Sequence, residues 1–244
     1  MRTWVPTTWL LLACMCVPFR SAAQTPSSKY QVSVRELSIP AKAARAYRQG
    51  AECLAKKDAA ASVPHFERAI AEFSGYYEAY DAIGIADLKL WRVPEAEQAF
   101  RKSIELSGGR FAHPLLALGA ILDDRKQFAE AESMTRMGLD LNPDSWTGHY
   151  YLGLALSGLN RLKEAEENAL EALRQKTNFP EARLLLADIH IREKDYRALA
   201  DDLAEYLQIA PDGPASARAK TVREAALRMI SESPSATALT QPLP

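Results

Sequence analysis

A small residue returns along this chain at a nearly constant interval. The residues are Gly50, Gly84, Gly119, Gly153 and Ala187, and the spacings between them are 34, 35, 34 and 34 residues. This period predicts helical hairpins that stack on one another, because a single hairpin cannot bury its apolar face alone. Such stacking gives a solenoid with an extended surface, which favours the binding of other molecules as its function.

The surroundings of each small residue are also repeated. In the three middle repeats a second small residue follows twelve positions later, as Ala96, Ala131 and Ala165. Ser62 and Leu199 stand at the equivalent positions of the first and last repeats. Taken in register, the pattern resembles the tetratricopeptide repeat.

The resemblance implies an all-α fold, a right-handed superhelical solenoid of about five helix-turn-helix repeats followed by a C-terminal capping helix. We expect the array to cover residues 43–213, with repeats near 43–76, 77–111, 112–145, 146–179 and 180–213. The capping helix is expected over 214–232, with a stripe made of Val222, Ala226, Met229 and Ile230.

Small residues at repeated slots have a physical role in such an array. A larger side chain there would force two crossing helices apart. The residues expected to allow this close packing are Gly50, Gly84, Ala96, Gly119, Ala131, Gly153, Ala165 and Ala187.

The N-terminus has the layout of a cleaved secretory signal over residues 1–23. It has an early cation at Arg2, an apolar stretch at Trp9–Phe19 and small residues at Ser21–Ala23. The stretch of about eleven residues is too short for a membrane span, which needs about twenty. We therefore expect export from a bacterial cell, to the periplasm or beyond. A lipoprotein cut at Cys14 is disfavoured, because only a short apolar run precedes that residue.

Two further segments flank the array. Residues 24–42 are expected to form an extended leader, in which Tyr30, Val32 and Val34 alternate with polar residues. Residues 233–244 contain three prolines and no charged residue, so we expect a disordered tail.

Charge and cysteine content exclude several classes of protein. Loss of Arg2 and Arg20 with the signal changes the formal net charge from −1 to −3, and no basic run remains, so nucleic acid is not an expected partner. Removal of the signal also leaves Cys53 as the only cysteine, so an internal disulfide is impossible and a packing role is expected for it.

The chain has no recognisable catalytic or metal-binding motif. HExxH, GxSxG and phosphate-binding glycine loops are absent, and the histidines have no metal-ligand spacing, so we expect no enzyme activity, cofactor or metal. The adjacent carboxylates Asp123–Asp124 and Asp201–Asp202 point about 100° apart on a helix. They are interpreted as solvated charges of a helix surface.

In tetratricopeptide arrays the first helix of each repeat lines the concave face. The resemblance therefore implies a partner-binding set made of Tyr47, Asp81, Leu88, Lys89, His113, Leu116, Asp123, Asp124, Tyr150, Leu154, Leu184, Asp188 and Arg192. Leu116, Tyr150 and Leu184 are expected to share an apolar floor with Leu154. The alternatives are that His113 is a plain surface residue and that Tyr150 is core.

The expected groove is apolar and acidic, which favours a peptide or protein segment with apolar and basic side chains. The Lys, Asn and Arg residues with which family members hold chaperone C-termini are missing, so that function is disfavoured. The sequence therefore predicts an exported interaction scaffold without a stable membrane span. The alternative is a structural component that forms homo-oligomers through its solenoid surfaces.

Overall fold

The computed structural model describes residues 38–232, and within this range the chain forms eleven α-helices and no strand. The helices are α1 (Ala41–Ala55), α2 (Ala59–Glu72), α3 (Tyr77–Lys89), α4 (Val93–Ser107), α5 (Ala112–Asp124), α6 (Phe128–Leu141), α7 (Trp146–Gly158), α8 (Leu162–Gln175), α9 (Pro180–Glu193), α10 (Tyr196–Ile209) and α11 (Ser216–Glu232). No helix in this range is long and apolar enough to cross a membrane.

Neighbouring helices pack in sequence along the whole array. Each odd-numbered helix from α1 to α9 packs on the helix after it to form a hairpin, and successive hairpins are in contact. The first helices of hairpins also meet one another, α1 with α3, α5 with α7 and α7 with α9. They therefore form the inner layer of a solenoid, and the all-α fold class predicted from the sequence is confirmed.

The turn inside every hairpin uses a left-handed residue at the same register. The five positions with positive φ are Lys57, Trp91, Lys126, Asn160 and Lys194, with φ between 60° and 64°. In each case the next residue donates its amide to the carbonyl five residues earlier, at 2.9 to 3.0 Å. This is the hydrogen bond of a Schellman motif, which ends one helix and reverses the chain into the next.

The repeated small residues lie at close helix crossings. A Cβ atom built on Gly50 would lie 2.7 Å from the Phe66 ring, and one on Gly84 would lie 2.5 Å from the Phe100 ring. Phe66 and Phe100 are both fully buried. Ala96, Ala131 and Ala165 are also fully buried, and Ala187 is 5% exposed.

The same slot is filled differently in the next two repeats. A Cβ on Gly119 would overlap the Thr135 hydroxyl, and one on Gly153 would lie 3.2 Å from the carbonyl oxygen of Ala165. The aromatic partner is thus replaced by Thr135 at Gly119, and by the Leu185 side chain and the Ala165 backbone at Gly153.

The ends of the array differ in detail from the expected boundaries. α1 begins at Ala41, two residues before the expected repeat, and α11 begins at Ser216. Ala219, Val222 and Ala226 of α11 pack on α10, whereas Met229 is 47% exposed and does not belong to the buried stripe. The expected signal at 1–23, the leader up to residue 37 and the tail at 233–244 lie outside the described residues.

Ion pairs join the second helices of neighbouring hairpins. Arg101 of α4 pairs with Glu130 of α6 at 3.1 Å, and Arg136 of α6 reaches Glu164 of α8 at 3.7 Å. Arg161, in the turn before α8, contacts Glu132 of α6 at 2.7 Å. The outer layer therefore carries a charged ladder that follows the repeat.

Candidate functional site

Within residues 38–232, two hollows lie between successive inner helices, and a smaller third one lies among α9, α10 and α11. The first, here called the N-terminal pocket, has a volume of about 500 Å³ and lies among α3, α5 and α7, with a wall from α4. The second, the C-terminal pocket, has a volume of about 450 Å³ and lies among the end of α5, α7 and α9. The inner helices thus form a groove with two separate recesses.

The N-terminal pocket is mainly apolar. Its walls include Ile85, Leu88, Phe100, Ala117 and Tyr151, and its charged members are Lys89, His113 and Asp124. Lys89 and Asp124 are exposed at its edge. This pocket suits an apolar side chain flanked by polar groups.

His113 is held in place by a buried carboxylate. Its Nδ1 donates to Asp81 Oδ1 at 2.7 Å, and Asp81 is 6% exposed while the His113 side chain is 52% exposed. The hydrogen bond to Asp81 raises the pKa of His113 although partial burial opposes the charge. Asp81 therefore acts through His113 and is not itself available to a ligand.

Asp123 is the unusual member of the C-terminal pocket. It is half-buried, and its Oδ1 is inaccessible to solvent without a hydrogen-bond partner among residues 38–232. Burial, together with the neighbouring Asp124, raises the pKa of Asp123 to about 6. The expectation that this carboxylate is a solvated surface charge is wrong, because the last turn of α5 faces α7.

Tyr150 joins the groove to the core. Its ring packs on Phe179 at a centroid distance of 4.8 Å and an interplanar angle of 67°, and it also lines the C-terminal pocket. Burial first, and then the nearby Glu181, raises the pKa of Tyr150 to about 12. Tyr150 is thus both a packing residue and a wall of the pocket, beside Leu154 and Leu184.

Arg192 at the edge of this pocket is already engaged. It donates to the Ser157 carbonyl at 3.0 Å, to the Ser157 hydroxyl at 2.8 Å and to Asn160 Oδ1 at 2.8 Å. Asp188 lies 3.7 Å from Arg192, with its side chain 61% exposed. Arg192 thus offsets Asp188, and Asp123 and Glu181 leave the lining of the pocket with an acidic excess.

Tyr47 and Asp81 line neither of these two pockets, and Leu116 borders a different pocket from Tyr150. Tyr47 stacks between Phe66 and Tyr76, at 5.5 and 5.1 Å, and lines neither pocket. Leu116 is 6% exposed and fills the space left by Gly138 and Gly148, so it borders the N-terminal pocket instead of joining Tyr150 in one floor.

Sequence reasoning also missed some pocket residues. Thr147 and Tyr151 line the N-terminal pocket, although neither was in the expected set. Tyr151 directly follows Tyr150, and a pair of aromatic residues on one inner helix is the signal that could have found it. The two rings, 5.6 Å apart, face different recesses.

A second polar cluster lies between α8, α9 and α10. His190, 8% exposed, contacts Asp202 through Nδ1 at 2.8 Å and Glu166 through Nε2 at 3.3 Å. Asp202 is 7% exposed and accepts a hydrogen bond from Arg183 at 3.0 Å. The expectation that Asp201 and Asp202 are both solvated is therefore wrong for Asp202, which faces α9.

Comparison with known proteins supports the fold. No family model and no curated protein sequence matches the chain. YrrB, described as a TPR protein with an unusual peptide-binding site, is 17% identical with a TM-score of 0.61, over 73% of this chain and 92% of YrrB.

Two further solved structures resemble the chain. PilF of Pseudomonas aeruginosa is 18% identical with a TM-score of 0.66, over 81% of this chain and 88% of PilF. PilW, described as a type IV pilus biogenesis factor, is 15% identical with a TM-score of 0.65, over 83% of this chain and all of PilW, 100%. The chain therefore has the tetratricopeptide-repeat fold.

Proposed function

We propose that this chain is an exported interaction scaffold that binds a peptide or protein segment in the groove of its inner helices. The observation that carries the proposal is the unpaired Oδ1 of Asp123, which lies in a recess walled by Tyr150 and Leu154. An unpaired carboxylate oxygen in an apolar recess costs stability. A cationic partner group in the recess would offset part of that cost, by attracting the carboxylate charge from the accessible side of Asp123.

The ligand chemistry follows from the two pockets. The C-terminal pocket combines apolar walls with three carboxylates, Asp123, Glu181 and Asp188, against the single cation Arg192. Its lining is therefore net acidic and suits a lysine or arginine side chain. The N-terminal pocket is large enough for an aliphatic or aromatic side chain. A segment with an apolar residue and a basic residue a short distance apart would occupy both.

Structural similarity to a known peptide-binding protein supports the proposal separately from the chemistry of the pockets. YrrB is described as having a peptide-binding site, and its fold is shared over 73% of this chain. Solenoids of helical hairpins commonly use their extended concave surface for binding. We extend peptide binding to this chain on the strength of the two pockets.

Export rests on the signal-like residues 1–23. We propose that cleavage leaves Gln24 as the first residue of the mature protein. Mass spectrometry of the intact protein from its own cell tests this, since an unprocessed Met1 or a lipid-modified Cys14 would contradict it.

A selection experiment tests groove binding without a known partner. The mature chain, immobilised, is used to select from a phage-displayed library of random dodecapeptides. We expect enriched peptides to combine lysine or arginine with aliphatic or aromatic residues. Their capture should be lost with Asp123→Asn and kept with Asp140→Asn, an exposed aspartate on the outer helix α6. Peptides without basic residues, or capture that Asp123→Asn leaves intact, would contradict the proposal.

Self-association is the second candidate. It is favoured by the terminal helix α11, where Leu227 and Met229 are 44% and 47% exposed. Light scattering of the mature chain distinguishes the two, because a stable oligomer that Leu227→Glu dissociates would favour assembly through this end.

A further inference from the structure

We infer that Glu166, His190 and Glu193 form a binding site for a divalent transition-metal ion, for which Zn²⁺ is the best match. One ligand atom from each residue lies within 4.8 Å of the other two. Glu166 comes from α8, while His190 and Glu193 lie three residues apart on α9 and therefore share a face of that helix. The site lies away from both groove pockets.

The buried Asp202 orients the ring of His190 through a hydrogen bond to Nδ1. Asp202 accepts a hydrogen bond from Arg183 at 3.0 Å, and its second oxygen lies 2.8 Å from His190 Nδ1, where it can accept the Nδ1 proton. In a neutral imidazole held this way, the proton is on Nδ1 and the lone pair is on Nε2. In metal sites, the ring nitrogen of a histidine that does not bind the metal commonly donates a hydrogen bond to a carboxylate, which fixes the orientation of the ring.

The distance at the other side of the ring also fits a metal. Nε2 lies 3.3 Å from Glu166 Oε1, longer than the 2.7–2.9 Å usual for a hydrogen bond between charged groups. Two ligand atoms at about 2.05 Å from a tetrahedral ion lie about 3.3 Å apart. This spacing therefore matches that of two adjacent ligands around one ion, and the three ligand atoms together lie within 4.8 Å of one another.

The donor set decides the class of ion. One imidazole nitrogen and two carboxylates match Zn²⁺, whereas Mg²⁺ and Ca²⁺ prefer oxygen ligands alone. The Glu193 side chain is at the exposed end of α9, so water can complete the coordination from that side. The ion would link α8 to α9 across a hairpin boundary.

A competing state would be a doubly protonated imidazolium held between Glu166 and Asp202. Both protonation states make the same contacts with Glu166 and Asp202, but only the neutral imidazole can bind a metal ion. Calorimetric titration of the untagged mature chain with Zn²⁺ distinguishes them. We expect one ion per chain, binding that is lost with His190→Gln, and affinity that falls about 10- to 100-fold with Asp202→Asn.

Two further variants distinguish a loss of Zn²⁺ ligands from a loss of folding. Glu193→Gln alters an exposed position at a helix end and should weaken Zn²⁺ binding at least tenfold without lowering the melting temperature of the metal-free protein. His149→Gln should leave binding unchanged, because both His149 ring nitrogens contact neutral oxygens, Asn168 Oδ1 at 3.0 Å and the Pro143 carbonyl at 2.9 Å. Absence of stoichiometric binding, or equal affinity in Glu193→Gln, would overturn the proposal.

Discussion

At the scale of single residues, Asp123 departs most from the pattern of a solenoid built for stability alone. Its carboxylate is half-buried, one oxygen is unpaired, and its pKa is raised to about 6. The folded protein therefore binds this proton more tightly than the unfolded chain, in which an aspartate has a pKa of about 3.9. The charge lowers stability above pH 6, and this cost disappears as the pH falls towards 4.

Replacing Asp123 with asparagine should consequently stabilise the protein. At pH 8 we expect a gain of about 1–2 kcal/mol, smaller than the full cost of the shift because partial exposure screens the charge. The gain should vanish at pH 4, where the wild-type carboxyl is protonated. Thermal melts at both values check this, with Asp140→Asn as the exposed control. A gain that is the same at both values would contradict a titrating origin.

Residues that face a neighbouring helix were the hardest to predict. Asp202 is expected to be a solvated charge because adjacent residues on a helix point about 100° apart, yet Arg183 and His190 of α9 contact it. Leu116 is expected to share one floor with Tyr150, yet it fills the space beside Gly138 and Gly148 and borders the N-terminal pocket instead. Both outcomes depend on side chains from other helices, whose identity the repeat pattern does not specify.

At the scale of helices, the register of the repeats can be predicted from the sequence, because only a small residue fits where two helices cross closely. Gly84 illustrates it, since a Cβ there would lie 2.5 Å from the fully buried Phe100 ring. The left-handed turns were recognisable only at Asn160, because lysine and tryptophan at the equivalent positions are not turn-forming types.

Gly84, at the crossing of α3 and α4, directly tests whether a small residue is required there. Gly84→Ala should destabilise the protein by about 1–2 kcal/mol, because overpacking outweighs the higher helix propensity of alanine. Gly75→Ala is the matched control, since its Cβ would find no atom nearer than 3.4 Å. Urea unfolding of both variants measures the difference, and equal midpoints would mean that the crossing is looser than described.

In the turn between α3 and α4, replacing Trp91 with glycine should stabilise the protein. Trp91 is 89% exposed with φ of 60°, so its side chain contributes little packing while its backbone is strained. Trp91→Gly should stabilise the protein by about 1 kcal/mol, because glycine adopts this conformation without steric cost. Trp91→Ala removes the same ring but keeps the strain, so it should not share the gain in a urea melt.

At the scale of the whole molecule, the charged ladder of the outer helices contributes little to stability despite its regularity. Arg101, Arg136 and Arg161 are 39% to 46% exposed, and exposed pairs contribute about 0.2–1 kcal/mol each. Raising NaCl to high concentration should therefore lower the melting temperature only slightly. A large fall would mean that the ladder, and not the apolar core, holds the repeats together.

The central claim for the whole molecule is that its inner surface binds a basic, apolar segment through the pocket containing Asp123. Calorimetry of one selected peptide with the wild type, Asp123→Asn and Asp140→Asn tests it most directly. Loss of a buried charge partner should weaken binding by about 30-fold or more in Asp123→Asn. Asp140→Asn should bind like the wild type. Equal affinity for wild type and Asp123→Asn, with both proteins folded, would contradict the account.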